Sequence, residues 1–137
     1  MFYDPSAVVE AYIGALNDRN ADAVAALVGD DFFNEHISQR GDSIRGRDKY
    51  RKRLDGFFRS MQDMHYEIER MVAVADEVVV AYRMSARWRD AAEDNDSSPK
   101  PFSIRGVFWF EVTSGRITHR VDYRDGVDFE QQVGLRP

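Results

Sequence analysis

The sequence predicts an α+β fold: a curved antiparallel sheet wrapped around N-terminal helices so as to enclose a conical cavity. Three observations predict it. Helical spacing of apolar residues is confined to the first 61 positions. From there on, apolar and polar residues alternate in segment after segment, separated by short turn sequences. Clustered helices followed by antiparallel strands are the α+β pattern, and a twisted sheet that curls around its helices leaves a cone between them. The 137 residues suit one domain, 1–137, with one core.

The elements follow in order. Asp4-Pro5 starts a helix, because Asp caps free N–H groups and Pro fits the first turn. Val8, Val9, Tyr12, Ile13 and Leu16 form its apolar face. Asn20 caps a second short helix over Ala21 to Val28, which Gly29 closes. DFFNEHIS, Asp31 to Ser38, is a strand, and RGDSIRG a turn with a short return strand. Asp48 caps a third helix, Lys49 to about Met61, with Tyr50, Leu54, Phe57, Phe58 and Met61 as its stripe. Four strands follow: MHYEIERMVAV, EVVVAYRMSARWR, FSIRGVFWFEV and RITHRVDYR. Ala75 to Glu77 and Thr113-Ser114-Gly115 supply turns, and the polar stretch from Asp90 to Pro101 a mobile hairpin loop. The tail GVDFEQQVGL is apolar enough to dock.

Composition narrows the function classes. A net charge of -5 and a pI near 5.2 argue against a general nucleic-acid binder. The absence of cysteine excludes disulfides, thiol nucleophiles and thiolate metal sites. The three histidines show no ligand spacing, so no metal is expected. No apolar run reaches a membrane span and the first residues do not read as a signal peptide, which makes the cytoplasm the expected compartment.

The strand HRVDYRD carries the chemistry. Alternation places His119, Val121 and Tyr123 on one face and Arg120, Asp122 and Arg124 on the other. If the charged face turns inward, Asp122 is a pocket carboxylate among arginines; if the apolar face does, it is a solvated charge. On the long strand before it, Arg83, Ser85 and Arg87 share a face with Val79 and Ala81, opposite Val78, Val80, Tyr82, Met84 and Trp88.

With this order of elements, AYIGALNDRNADAVAALVGDDFF near the start and GVFWFEVTSGRITHRVDYRD near the end resemble the nuclear transport factor 2-like superfamily. Within it, the chain looks most like the SnoaL-like polyketide cyclases and limonene epoxide hydrolases. The resemblance covers nearly the whole chain, and GRIT followed by Asp-Tyr-x-Asp is its most specific stretch. It implies a cystatin-like α+β barrel in which Asp122 faces the cavity, with Arg120 and Arg124 beside it. These are too many charges to bury without partners, so both arginines are expected to reach the cavity mouth and water or to pair with Asp125 or Asp128. It implies that Ile117, His119, Val121 and Tyr123 face outward. It also aligns Arg83-Met84-Ser85 with the hydrolases' Arg-x-Asp string, so that Arg83 positions Asp122 while Ser85 stands where those enzymes have their second acid. Serine is no acid near neutral pH, and epoxide hydrolysis is therefore disfavoured. His36 lies where the superfamily's ketosteroid isomerases carry a proton-shuttling aspartate, and Tyr12 matches their oxyanion-binding tyrosine.

The expected function is cofactor-free acid–base chemistry of isomerase, cyclase or dehydratase type on a small, apolar, oxygenated molecule. Asp122, His36 and Arg83 would be catalytic. Tyr12 and Ser85 would hydrogen-bond the substrate, and Phe33, Phe57, Phe58, Trp88 and Phe108 would supply apolar surface. The alternative is a ligand-binding or interaction module on the same fold. The expected partners are the small molecule and a second copy, with neither nucleic acid nor membrane. The homodimer would form through an outer sheet face bearing Val80, Tyr82, Met84, His119, Val121 and Tyr123.

Overall fold

The structure, a computed structural model, describes residues 4–37, 42–89 and 98–137. The chain runs α1 (Pro5–Asn17), α2 (Ala21–Ala26), β1 (Val28–Ile37), β2 (Ile44–Arg45), α3 (Arg47–Ser60), β3 (Met61–Val74), β4 (Glu77–Trp88), β5 (Lys100–Thr113), β6 (Arg116–Arg124) and α4 (Gly126–Gln132). It is an α+β fold with one six-stranded, curved, unclosed sheet in the order β2-β1-β6-β5-β4-β3. Strands β3 to β6 form the expected meander; β1 then lies parallel to β6. No helix among the described residues is long and apolar enough to cross a membrane.

The helix caps behave as the sequence indicates. Asp4 accepts from the Ser6 N–H and Asn20 from the Ala23 N–H. Two boundaries differ. Helix α2 ends at Ala26, and β1 starts at Val28, so Gly29 lies inside the strand. Helix α3 starts at Arg47, one residue ahead of the expected Asp48 cap, on Gly46 with φ 106°. The tail docks as α4, capped by Asp125, which accepts from the Val127 and Asp128 N–H groups. Residues 90–97 of the expected 90–101 loop lie outside the described residues, and Lys100 and Pro101 already belong to β5.

Strand β4 overturns one expectation. Val78, Val80, Tyr82 and Met84 point into the core, and Arg83, Ser85 and Arg87 are exposed. The energetics are plain. Each apolar side chain buried contributes about 1.5–3 kcal/mol, whereas turning the other face inward would bury two arginines and a serine that need partners. Val80, Tyr82 and Met84 therefore cannot belong to an outer interface. Ile117 is also fully buried, not outward, because the β5–β6 register shifts between Glu111 and Val112. That irregularity breaks the alternation, so Ile117 shares the inner side with Arg120, Asp122 and Arg124. The outer face keeps an apolar band: Trp109 (41% exposed) and Tyr123 (44%), with the half-buried Val79 and Val107 and the buried Val121 beside them by register.

Candidate functional site

Helix α3, the inner face of β6 and the last residues of β1 enclose a cavity of about 440 Å³. Leu16, Leu54, Phe57 and Met61 supply apolar wall; Asn34, His36, Arg120 and Asp122 supply the polar end. Parallel pairing sets His36 opposite Asp122 and Asn34 opposite Arg120, so β1 and β6 present their polar residues side by side.

Asp122 is 2% exposed. Its Oδ1 accepts from the Tyr82 hydroxyl at 2.6 Å. Tyr82 sits on β4 and Asp122 on β6, with β5 between them, so the ring must cross β5. It does so over Gly106, where a Cβ would lie 2.4 Å from the Tyr82 hydroxyl and 2.8 Å from the Tyr123 carbonyl oxygen. Oδ2 of Asp122 lies 3.6 Å from His36 Nδ1 and 3.9 Å from Arg124 Nε, both beyond hydrogen-bond length.

Arg120 is the one buried cation among the described residues. Its Nε donates to Asn34 Oδ1 at 2.8 Å, and its Nη1 to the Tyr12 hydroxyl at 3.1 Å. The Tyr12 hydroxyl makes a short bond to that of Tyr50. Because Asn34 offers its oxygen to Arg120, its NH2 faces His36 Nε2, at 3.3 Å. His36 Nε2 then accepts, and the neutral ring carries its proton on Nδ1, aimed at Asp122. That Nδ1 is buried without a hydrogen-bond partner.

These contacts set the charges. Burial pushes the Asp122 carboxyl up, but His36, Arg120, Arg124 and the Tyr82 hydroxyl together outweigh it and hold it below its ordinary value. Burial pushes His36 down, and Arg120 adds to this against the pull of Asp122. Burial pushes the Tyr12, Tyr50, Tyr66 and Tyr82 phenols up. At neutral pH the site thus holds a carboxylate, a neutral imidazole, a guanidinium and neutral phenols.

The expected site residues divide. Asp122, His36 and Phe57 line the cavity. Tyr12 is fully buried behind Arg120, and Phe108 is stacked on Tyr82. Phe58 belongs to the core, and Trp88 packs edge-on against Phe129. Phe33 is on the outer side of β1, stacked on His119 with Arg45 over its ring. Arg83 and Ser85 are on the outer face, so neither reaches Asp122. Arg120 is neither at the mouth nor paired with Asp125 or Asp128. The residues that hold Asp122 and His36 in place are Tyr82, Asn34 and Arg120. The trace of this in the sequence is a spacing of two, which puts Asn34 with His36 and Arg120 with Asp122 on one strand face each, while Tyr82 left none.

The profile of the SnoaL-like polyketide cyclases matches residues 6–133. The chain belongs to the SnoaL-like polyketide cyclase family. Solved structures agree on the fold. A Shewanella denitrificans protein described as a SnoaL-like polyketide cyclase superposes with a TM-score of 0.84 at 16% identity, over 96% of this chain and 98% of that one. A Catenulispora acidiphila protein of ketosteroid isomerase-like fold, in complex with trimethylamine, gives 0.79 at 18%, over 95% and 93%. An LEH-like epoxide hydrolase of M. tuberculosis gives 0.73 at 26%, over 96% and 90%. Among curated proteins none matches. The SnoaL-like family and these folds go with small-molecule cyclase and isomerase scaffolds, and the chemistry must be argued from the cavity.

Proposed function

We propose that this SnoaL-like chain is an enzyme that relocates a proton on a small, mostly apolar, oxygenated molecule, in the manner of an isomerase or cyclase and without a cofactor. The observation that carries the reading is Asp122 Oδ2. It belongs to an ionised carboxylate in a cavity wall and has no hydrogen bond from any described residue, so its lone pairs are available to a ligand proton. The cations that keep Asp122 ionised also make it a weak base. Its substrate must then offer an acidic C–H, such as a carbon between two carbonyls. Oδ2 takes that proton, the C–H pair becomes an enolate, and the negative oxygen gains from the nearby Arg120 guanidinium. Returning the proton to a different carbon is isomerisation. If the enolate carbon instead attacks a carbonyl within the same molecule, a ring closes and the new alkoxide takes the proton from Asp122. Neutral His36, with Nδ1–H towards Oδ2, steadies the carboxylate before transfer and can relay the proton.

Epoxide opening remains disfavoured on new grounds. Inward positions on β4 near the site hold Tyr82 and Met84, and the other described carboxylate at the cavity is the exposed Asp42. Limonene oxide should give no diol. The test of the main reading is deuterium exchange into cyclic 1,3-dicarbonyl compounds, followed by NMR. Exchange above buffer that disappears in Asp122→Asn supports it. Exchange that survives this change, or none across the panel, would sink it. A ligand that binds without exchange would favour the binding-module alternative, for which the weakness of Asp122 as a base already speaks.

The band on the outer face supports a homodimer as part of this proposal. Glu77 and Glu111 lie at one end of the band, and Arg83 and the Glu69-paired Arg105 at the other. A second copy laid face to face with its strands reversed sets acids against arginines and covers Trp109 and Tyr123. Sedimentation should show a dimer that Trp109→Glu dissociates; a wild-type monomer would refute it.

A further inference from the structure

Arg120 is more buried than its partners justify. A guanidinium taken out of water is costly unless an anion or a full set of acceptors receives it. Here its two hydrogen-bond acceptors are neutral, the Asn34 amide oxygen and the Tyr12 hydroxyl. Its flat faces meet aromatic rings, with Cζ 4.7 Å from the Phe108 centroid and 5.9 Å from that of Tyr12. No carboxylate of the described residues stands within ion-pair distance of it; Asp122, two residues on, gives Oδ1 to Tyr82 and turns Oδ2 towards His36 and Arg124. Nη2 has no acceptor among the described residues, and Arg120 forms part of the cavity wall.

The charge count of the wall agrees. Among the described residues, Arg53, Arg120 and Arg124 face it against Asp42 and Asp122, so three cations oppose two carboxylates and one positive charge is left over with His36 neutral. Arg53 spends one N–H on the Asp42 backbone carbonyl, which carries no countercharge.

We propose that the natural ligand of the cavity is a small organic acid, bound as its carboxylate to Arg120 with its apolar body against Leu54, Phe57 and Met61. A planar guanidinium edge matches a carboxylate in shape and charge. One negative charge balances the described wall, whereas a neutral carbonyl leaves Arg120 with no anion in contact and only the charge of Asp122 at a distance, and a dianion overshoots. The proposal deepens the previous section, since it rests on this cavity being the substrate site. It does not need Asp122 to act as a base.

The experiment is titration calorimetry of the full chain with benzoate, cyclohexanecarboxylate and 2-naphthoate, each against its primary amide. At least one acid should bind about tenfold or more tightly than its amide, the effect of a charge-assisted bond gained in a desolvated site. In Arg120→Met that preference should vanish, with folding verified by circular dichroism. Should this variant not fold, Arg120→Lys, which keeps the charge and loses the planar edge, should bind the acid several-fold more weakly. Asp122→Asn should bind the acid as well or better, because a like charge is gone. Amides binding as well as acids, no acid binding at millimolar concentration, or a folded Arg120→Met that keeps the preference would each overturn the proposal. Acid preference without Asp122-dependent exchange leaves this inference standing and removes the proton-transfer reading; exchange without acid preference does the reverse.

Discussion

Strands β4 and β6 carry the same kind of sequence and treat it in opposite ways. Arg83, Ser85 and Arg87 alternate with apolar residues on β4, as Arg120, Asp122 and Arg124 do on β6. On β4 the charged face is exposed; on β6, Arg120 and Asp122 are buried. The difference lies in what the neighbouring strands bring. Beside β6, the parallel strand β1 offers Asn34 and His36, and Tyr82 reaches across from β4. The outer side of β4 offers exposed positions such as Ser103 and Arg105. The charged face of β6 is buried with the polar groups its neighbours bring to the cavity, whereas that of β4 stays in solvent, where Arg87 pairs with Asp63 at the surface.

The comparison can be broken most forcefully at Gly106, the gap that lets the two strands communicate. Gly106→Ala would force its Cβ against the Tyr82 hydroxyl and the Tyr123 backbone. Denaturant titration should show a loss of about 1–3 kcal/mol, the usual cost of overpacking. An unchanged midpoint would mean that Tyr82 does not lie across β5. Next comes Tyr82→Phe, which keeps the ring and deletes only the 2.6 Å bond to Asp122. A loss of about 1–2 kcal/mol is expected, and the Asp122 carboxyl should rise towards its ordinary value, as carboxyl NMR titration would report.

The pH dependence sharpens the contrast further. His36 is held below its ordinary 6.5 in the folded chain. Between that lowered value and 6.5 the unfolded chain binds a proton that the folded chain refuses. Its contribution is therefore complete above about pH 6.5 and is lost as the pH falls through that window. Asp122, held below 3.8, contributes fully above about pH 4 and is lost as the pH falls through its lowered folded value. Both slopes have one sign, at separate pH ranges. Stability measured against pH should lose the upper slope in His36→Gln, and the acid slope should shrink without vanishing, because His36 is the first of the groups that hold Asp122 down and Arg120, Arg124 and Tyr82 remain; an upper slope unchanged in that variant would contradict the burial of a neutral imidazole. The smallest effects belong to β4. Arg83→Met and Ser85→Ala should each change stability by less than about 0.5 kcal/mol and leave acid binding untouched. A tenfold binding loss in either would show that the outer face takes part in the site.

What could be read from the sequence follows the same division. Caps at Asp4 and Asn20, the stripe on α3 and the alternation of four strands are local signals, and they mark the elements and the meander. Alternation sorts Arg83 from Tyr82 but leaves open which of the two faces inward, because that depends on the layer packed against the strand. The resemblance to the hydrolases' Arg-x-Asp string chose the wrong side of β4. Asp122 and His36 were recognisable as titratable residues in strands of a recognised pattern. Arg120 was not, since nothing local marks an arginine that will be buried against Asn34, Tyr12 and two aromatic rings.

Strand β1 has to wait for its partner. It lies parallel to β6, and the bond from Arg120 to Asn34 spans 86 positions of sequence. During synthesis α1, α2, α3, β1 and the first three strands of the meander all emerge before β6 does. Of the groups around His36, Asn34 precedes it in the chain, whereas Arg120 and Asp122 come 84 or more positions later. Closing so long a loop is among the slower steps of folding, and in this chain that step also joins the proton-handling groups. A chain that stops short of β6 could form α1, α2 and the β3–β4 hairpin and would still lack Arg120 and Asp122. The polar end of the cavity is therefore completed only when β6 joins β1.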